Sequence, residues 1–255
     1  MGSTRIPEAM EAEVFQRMAE QENRHWWFRA RRRILQSLIE KYADPSRLGK
    51  LRILEAGSGT GGNLEMLSRF GQVSAFELDE TACRITRSRG FEVREGRLPS
   101  DHPFINERFD LIVLFDVLEH VEADRESLSS LATLLEPGGI LVLTVPAFPF
   151  LWSGHDEKHH HFRRYRRPGL RGQLQQAGLQ VKRMTYFNFF LFPVVAAVRC
   201  IKKLLRSKHS DEEGLPASWI NLTLEKVFSS ERFLLPMMSF PFGVSLLSIC
   251  RRPER

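Results

Sequence analysis

Cysteine is scarce in this chain: Cys83, Cys200 and Cys250 are the only three among 255 residues. They form no CxxC pair and no Cys/His zinc spacing, which argues against a disulfide framework and a structural zinc site and fits a reducing cytoplasm. The opening stretch MGSTRIPEAMEAEVF has no apolar core, so secretion is not expected. Internal repeats and low-complexity tracts are missing, as is any Gly-Lys-Ser/Thr sequence of a phosphate-binding loop. With 42% hydrophobic and 27% charged residues, the composition excludes a disordered or fibrous chain. The length suits one large domain or two small ones.

What is there is basic charge in patches. Lys and Arg number 37 against 31 Asp and Glu, a net +6. The excess gathers at Arg29 and Arg31 to Arg33, at Arg163, Arg164, Arg166 and Arg167, at Lys202, Lys203, Arg206 and Lys208, and at the C-terminus. Such clusters suit phosphate, nucleic acid or an anionic membrane, or are simply solvated surface.

Apolar spacing predicts helix over 8–43, with a break near Asn23. From Leu51 onward, strands and helices alternate: strands at 51–55, 73–77, 91–95, 110–115 and 140–145, with helices at 62–70, 80–88 and around Leu128 to Leu135. The stretch Asp110 to Phe115, apolar without interruption from Leu111 on, marks a strand buried on both faces. This alternation predicts an α/β fold with an open, doubly wound parallel sheet. A loop is expected over 147–168, helix over 169–177, strand over 179–187, helices over 189–207 and 216–234, and a last strand over 244–250.

The strongest local signal is Glu55-Ala56-Gly57-Ser58-Gly59-Thr60-Gly61, between the first strand and first helix, where doubly wound sheets bind nucleotides. Glycines allow a sharp turn and close backbone approach. Glu55 beneath that turn would repel a pyrophosphate and attract an ammonium group. Glu77 ends the second strand about twenty residues on, where an acid accepts both ribose hydroxyls. The site therefore asks for a nucleoside carrying an amine, a description that S-adenosylmethionine fits.

These residues, with Phe109-Asp110-Leu111-Ile112-Val113, Asp116-Val117-Leu118-Glu119-His120-Val121 and Leu135-Glu136-Pro137-Gly138-Gly139, resemble the class I S-adenosylmethionine-dependent methyltransferases. The resemblance covers roughly residues 50–185. It implies a Rossmann-like methyltransferase domain over 49–255, with a helical cap over 1–48 and a helical insertion over 189–234 before the last strand. It implies that Gly57, Ser58, Gly59 and Gly61 line the methionine part of the cofactor and that Leu78 lies against the adenine. Asp116 would face the methionine end with Val117 packed nearby, and Leu98 falls on the cofactor side. Where many members have an Asp for the adenine amine, this chain has Gly96-Arg97-Leu98-Pro99, so Asp101 or backbone must serve. His120 is read as structural. A fold that binds the cofactor without catalysis is the alternative of another class.

No Asn/Asp-Pro-Pro-Tyr/Phe follows the fourth strand and no Pro-Cys occurs, which demotes nucleic-acid bases as acceptors. The loop 147–168 follows the fifth strand, above the cofactor. Its histidine run suggests a metal, but adjacent loop residues rarely aim at one ion, so none is assigned. We read an acceptor pocket: His155, Asp156 or His161 as a base, and Arg163 and Arg164 as a clamp for phosphate or carboxylate. A loop knitted by local ion pairs is the alternative. The segment also resembles a bacterial methyltransferase subgroup with a His-x-Arg-Arg-Tyr loop, here His161 to Tyr165. That subgroup has a His25-Trp26-Trp27-Phe28-Arg29 helix start, which implies Trp27 and Arg33 over the cofactor, and a Phe240 to Leu246 ending.

The expected function is methyl transfer to oxygen or nitrogen of a small or lipid-linked acceptor, possibly phosphorylated. Residues 189–198 are wholly apolar, and Arg199, Lys202, Lys203 and Arg206 follow at helical spacing. That is the pattern of an interfacial helix, and it places the protein in the cytoplasm, at the inner membrane face. A soluble small-molecule enzyme without membrane contact is the rival.

Overall fold

The computed structural model describes residues 12–204 and 214–254. Among the described residues the N-terminal region holds two helices, α1 (Ala12–Gln21) and α2 (Trp26–Tyr42), split close to the expected break. His25 caps α2, its Nδ1 accepting the Trp27 N–H. Then come β1 (Leu51–Ala56), α3 (Leu64–Ser68), β2 (Gly71–Glu77), α4 (Glu80–Ser88), β3 (Arg94–Glu95), β4 (Phe109–Phe115), α5 (Asp124–Leu134) and β5 (Leu135–Pro146). The C-terminal part holds α6 (Gly154–Lys158), α7 (Arg167–Gln176), β6 (Gln180–Phe187), α8 (Phe192–Leu204), α9 (Ser218–Ser229), α10 (Glu231–Leu234) and β7 (Ser245–Arg251).

All seven strands among the described residues form one sheet in the order β3-β2-β1-β4-β5-β7-β6. The first five run parallel, and β7 is antiparallel to both its neighbours. Strand β4 is buried along its whole length because side chains of alternating parity serve two layers. Ile112 and Leu114 join Leu128, Leu131, Leu170 and Leu174 of α5 and α7 on one face. Leu111 and Val113 join Ile34, Leu35 and Leu38 of α2 and Phe228 of α9 on the other. Helix α2 is thus a layer of the sandwich, each such leucine contributing about 1.5–3 kcal/mol by leaving water.

Three local differences from expectation have physical causes. The third strand is only two residues long because it is the sheet's edge and pairs solely with Phe76 and Glu77. The last long helix divides at Ser230 into α9 and α10. The expected loop 147–168 contains α6, started by a capping box in which Ser153 and Asp156 satisfy each other's backbone N–H groups.

Chain order reverses between β1 and β4, opening a crevice at their carboxyl ends. A cleft of about 2020 Å³ lies there.

Candidate active site

The floor of the cleft is the turn after β1. Gly57 and Gly59 adopt φ of 71° and 53°, a left-handed backbone that suits glycine. A Cβ on Gly57 would lie 2.7 Å from Val117 Cγ2, so the β4 turn packs onto the β1 turn only because that Cβ is missing. The Gly57 and Ser58 N–H groups donate to the Phe76 carbonyl at 2.9 and 3.1 Å, tying the turn to β2. Gly57, Ser58 and Gly59 line the cleft. Gly61 stands behind them, against Thr86 and Leu64, and shapes the turn rather than the wall.

Glu55 is buried beneath this turn. One carboxylate oxygen accepts from Asn63 Nδ2 at 2.8 Å. The other has no hydrogen-bond partner among the described residues. Burial pushes its pKa up to about 8, against the opposing Asn63 bond and Arg31 charge. Glu55 reaches the cleft through Asn63, which stands in the wall. Glu77 is in the wall itself. Its oxygens accept the N–H groups of Gly59 (2.8 Å), Leu78 (2.8 Å) and Asp79 (3.1 Å). Burial raises its pKa and these donors oppose the rise. Leu78, Leu98 and Phe76 line the same end, with Asp101 and the Arg97 segment beside them. A carboxylate flanked by apolar side chains, a glycine floor and an uncompensated acid beneath it fit a nucleoside with an ammonium tail.

At the other end, Asp116 and Val117 line the cleft. Asp116 forms a 2.5 Å ion pair with Arg31 of α2. Arg31 is itself buried, donates to Thr144 Oγ1 at 3.1 Å, and lies over the rings of Trp27 and Phe115. In the sequence Arg31 stands out only as one of a basic cluster. Glu119 is buried, and burial followed by the Asp116 charge raises its pKa well above normal. Burial and His161 push His120 down to about 3, so its ring is neutral.

Helices α1 and α2 roof the cleft with Phe15, Met18, Glu22 and Trp27. Glu22 accepts from Thr60 Oγ1 at 2.9 Å and pairs with Arg89, which fastens α1 over the glycine turn. Of the two residues expected over the cofactor, Trp27 lines the cleft. Arg33 instead pairs with Glu225 of α9 at 2.8 Å.

The loop after β5 is knitted by ion pairs, as its alternative reading has it. Asp156 is fully buried and outside the cleft wall. It receives Arg164 Nε at 2.7 Å and a second Arg164 nitrogen at 3.0 Å, His161 Nδ1 at 2.9 Å and the Ser153 N–H at 2.9 Å. Burial alone would raise its pKa, but the His161 and Arg164 bonds outweigh it and hold Asp156 ionised. Every acceptor site of that carboxylate is engaged, so Asp156 positions the loop. Arg164 reaches the cleft but spends its donors on Asp156 and the Ala147 carbonyl. Arg163 pairs with Asp124 at 2.8 Å, and the Tyr165 hydroxyl donates to the same carboxylate at 3.1 Å. His155 and His161 do line the cleft. Burial, His159 and Arg199 push His155 down to about 3.

A family model described as a methyltransferase domain matches residues 25–183. The chain belongs to the methyltransferase family. Its cofactor is S-adenosylmethionine. A Mycolicibacterium smegmatis protein named "Probable S-adenosylmethionine-dependent methyltransferase" is 26% identical over 62% of this chain and 61% of its own length. A ubiquinone biosynthesis O-methyltransferase of Xanthomonas euvesicatoria is 28% identical over 56% of this chain and 69% of that protein. The chain thus spans about two thirds or less of these relatives' length. Haemonchus contortus phosphoethanolamine N-methyltransferase 2, solved with phosphomonomethylethanolamine and S-adenosylhomocysteine, shares the fold. Its TM-score is 0.55 at 15% identity, covering 86% of this chain and 52% of that one.

Proposed function

We propose that the whole protein moves a methyl group from S-adenosylmethionine to oxygen or nitrogen of a small or lipid-linked acceptor, which it meets at the inner face of a membrane. The carrying observation is α8. Val194, Val195 and Val198 line the cleft's rim, and Val194, Val198 and Ile201 stay 63%, 43% and 55% exposed. An apolar rim that faces both cleft and solvent suits an acceptor with an apolar body. Trp219 on the helical insertion and Met237 just after it add further exposed apolar surface. Among the described residues, no helix is long and apolar enough to cross a membrane. Lys202 and Lys203 have no described side chains, and Arg206 lies outside the described residues.

S-adenosylmethionine supplies the electrophilic methyl. Gly57, Ser58 and Gly59 would hold its methionine part, Glu55 would orient Asn63 toward the ammonium, and Glu77 would take the ribose hydroxyls. Leu78 and Leu98 would enclose the adenine, and Asp116 and Val117 would bound the methionine end. The described part of the helical cap, from residue 12 on, would close the site (1–11 lie outside the described residues), and the loop 147–168 would bring His155 and His161 to the acceptor. Their work is to align the acceptor and exclude water, which supplies most of the rate in an in-line displacement. The O-methyltransferase relative supports an oxygen acceptor and the N-methyltransferase fold relative a nitrogen one. With anionic vesicles at low salt the protein should float, and salt should release it by screening. Protein that stays in solution beside those vesicles would transfer the proposal to a soluble small molecule.

A further inference from the structure

Two loops far apart in the chain meet at the acceptor end of the cleft. The turn after β4 brings Glu119 and His120, and the loop after α6 brings His161. One ligand atom from each of the three lies within 4.8 Å of the others. We infer that Glu119, His120 and His161 form a binding site for a divalent transition-metal ion, with zinc the best match and an open position toward the cleft.

Donor chemistry comes first. Two imidazoles and a carboxylate are the set that borderline divalent ions take, and three protein ligands leave room for a substrate oxygen. Support from outside the trio comes second. Both Asp156 oxygens accept from Arg164, and one also from the Ser153 N–H, so the carboxylate is the acceptor and His161 Nδ1 the donor in their 2.9 Å bond. The lone pair is then on Nε2, the arrangement in which a carboxylate orients a ligating histidine. Arg164 fixes Asp156 in turn. The His159 backbone similarly holds the His120 ring. Third, Glu119 is 1% exposed, and its Oε2 has no hydrogen-bond partner among the described residues. A buried carboxylate oxygen without a donor is costly, and a cation removes the cost. Bonds of about 2.1 Å in a tetrahedral site need ligand atoms roughly 3.4 Å apart, so metal binding would draw the trio together.

An ion here would hold the acceptor's oxygen and favour its ionised form, a role that rests on the methyl-transfer proposal. The site itself does not, because its test is binding. Full-length protein without a polyhistidine tag, treated with chelator and dialysed, should take up one equivalent of Zn²⁺ by calorimetry. Cobalt in its place should show the intense visible bands of a four- or five-coordinate ion. Glu119→Gln and His120→Ala should each weaken Zn²⁺ binding by at least about tenfold while S-adenosylhomocysteine still binds, which establishes that the variants are folded. His160→Ala, an exposed neighbour, should bind Zn²⁺ as wild type does. No stoichiometric uptake, or uptake that Glu119→Gln and His120→Ala leave unchanged, would overturn the site. A site that binds zinc in a protein that transfers no methyl would leave the metal in place and remove only its catalytic role.

Discussion

Glu55 ties the cofactor site to pH. Its ordinary value of 4.5 moves to about 8 in the fold. Between those values the folded chain keeps a proton that the unfolded chain has released. The stabilising effect is complete below about pH 4.5 and is lost as pH rises through about 8. Glu55→Gln removes the titration while keeping an oxygen for Asn63. Melting temperatures between about pH 5 and about pH 8.5 should fall less in Glu55→Gln than in wild type. Equal slopes would mean that Glu55 is ionised throughout. Glu77 has a different task. Glu77→Ala should weaken S-adenosylmethionine binding by about 1–3 kcal/mol in calorimetry, since buried hydroxyls would lose a charged acceptor. Arg31→Met should cost roughly 2–3 kcal/mol in urea denaturation. That is less than for a fully buried pair, because the Asp116 side chain keeps 23% exposure.

Elements were legible where local pattern and tertiary role agree. Helix α4 spans Glu80–Ser88 as its pattern predicts, because Asp79 caps it and its apolar stripe packs inward. Strand β4 announced itself because both its faces need apolar residues. Pairings between distant segments were not legible. Nothing local says that Arg31 reaches Asp116, that Arg33 serves Glu225, or that His161 meets Glu119 and His120. The Ser153-x-x-Asp156 spacing did carry a helix-start signal, and it also explains why Asp156 looks like chemistry but works as a cap. At this scale α8 makes its own prediction. Val194→Glu with Val198→Glu should abolish flotation on anionic vesicles and shift stability by no more than about 0.5 kcal/mol per site, since both side chains are exposed. Undiminished flotation would move the membrane contact elsewhere on the surface.

At the scale of the molecule, the sheet order and the roof of α1 and α2 serve one purpose. The reversal between β1 and β4 opens the crevice, the glycine turn and Glu77 shape its floor, and Glu22 with Arg89 fastens the cover. Residues of α8 and of the loop 147–168 line the cleft, and under the proposed function the acceptor would enter from that side. The most direct measurement is to incubate the protein with S-adenosylmethionine labelled in its methyl group and with soluble and lipid extracts of the source cells. The account predicts label in the lipid fraction, one S-adenosylhomocysteine formed for each methyl transferred, and loss of both in Glu77→Ala. Tight cofactor binding with no label in either extract would contradict it and leave a cofactor-binding scaffold in its place.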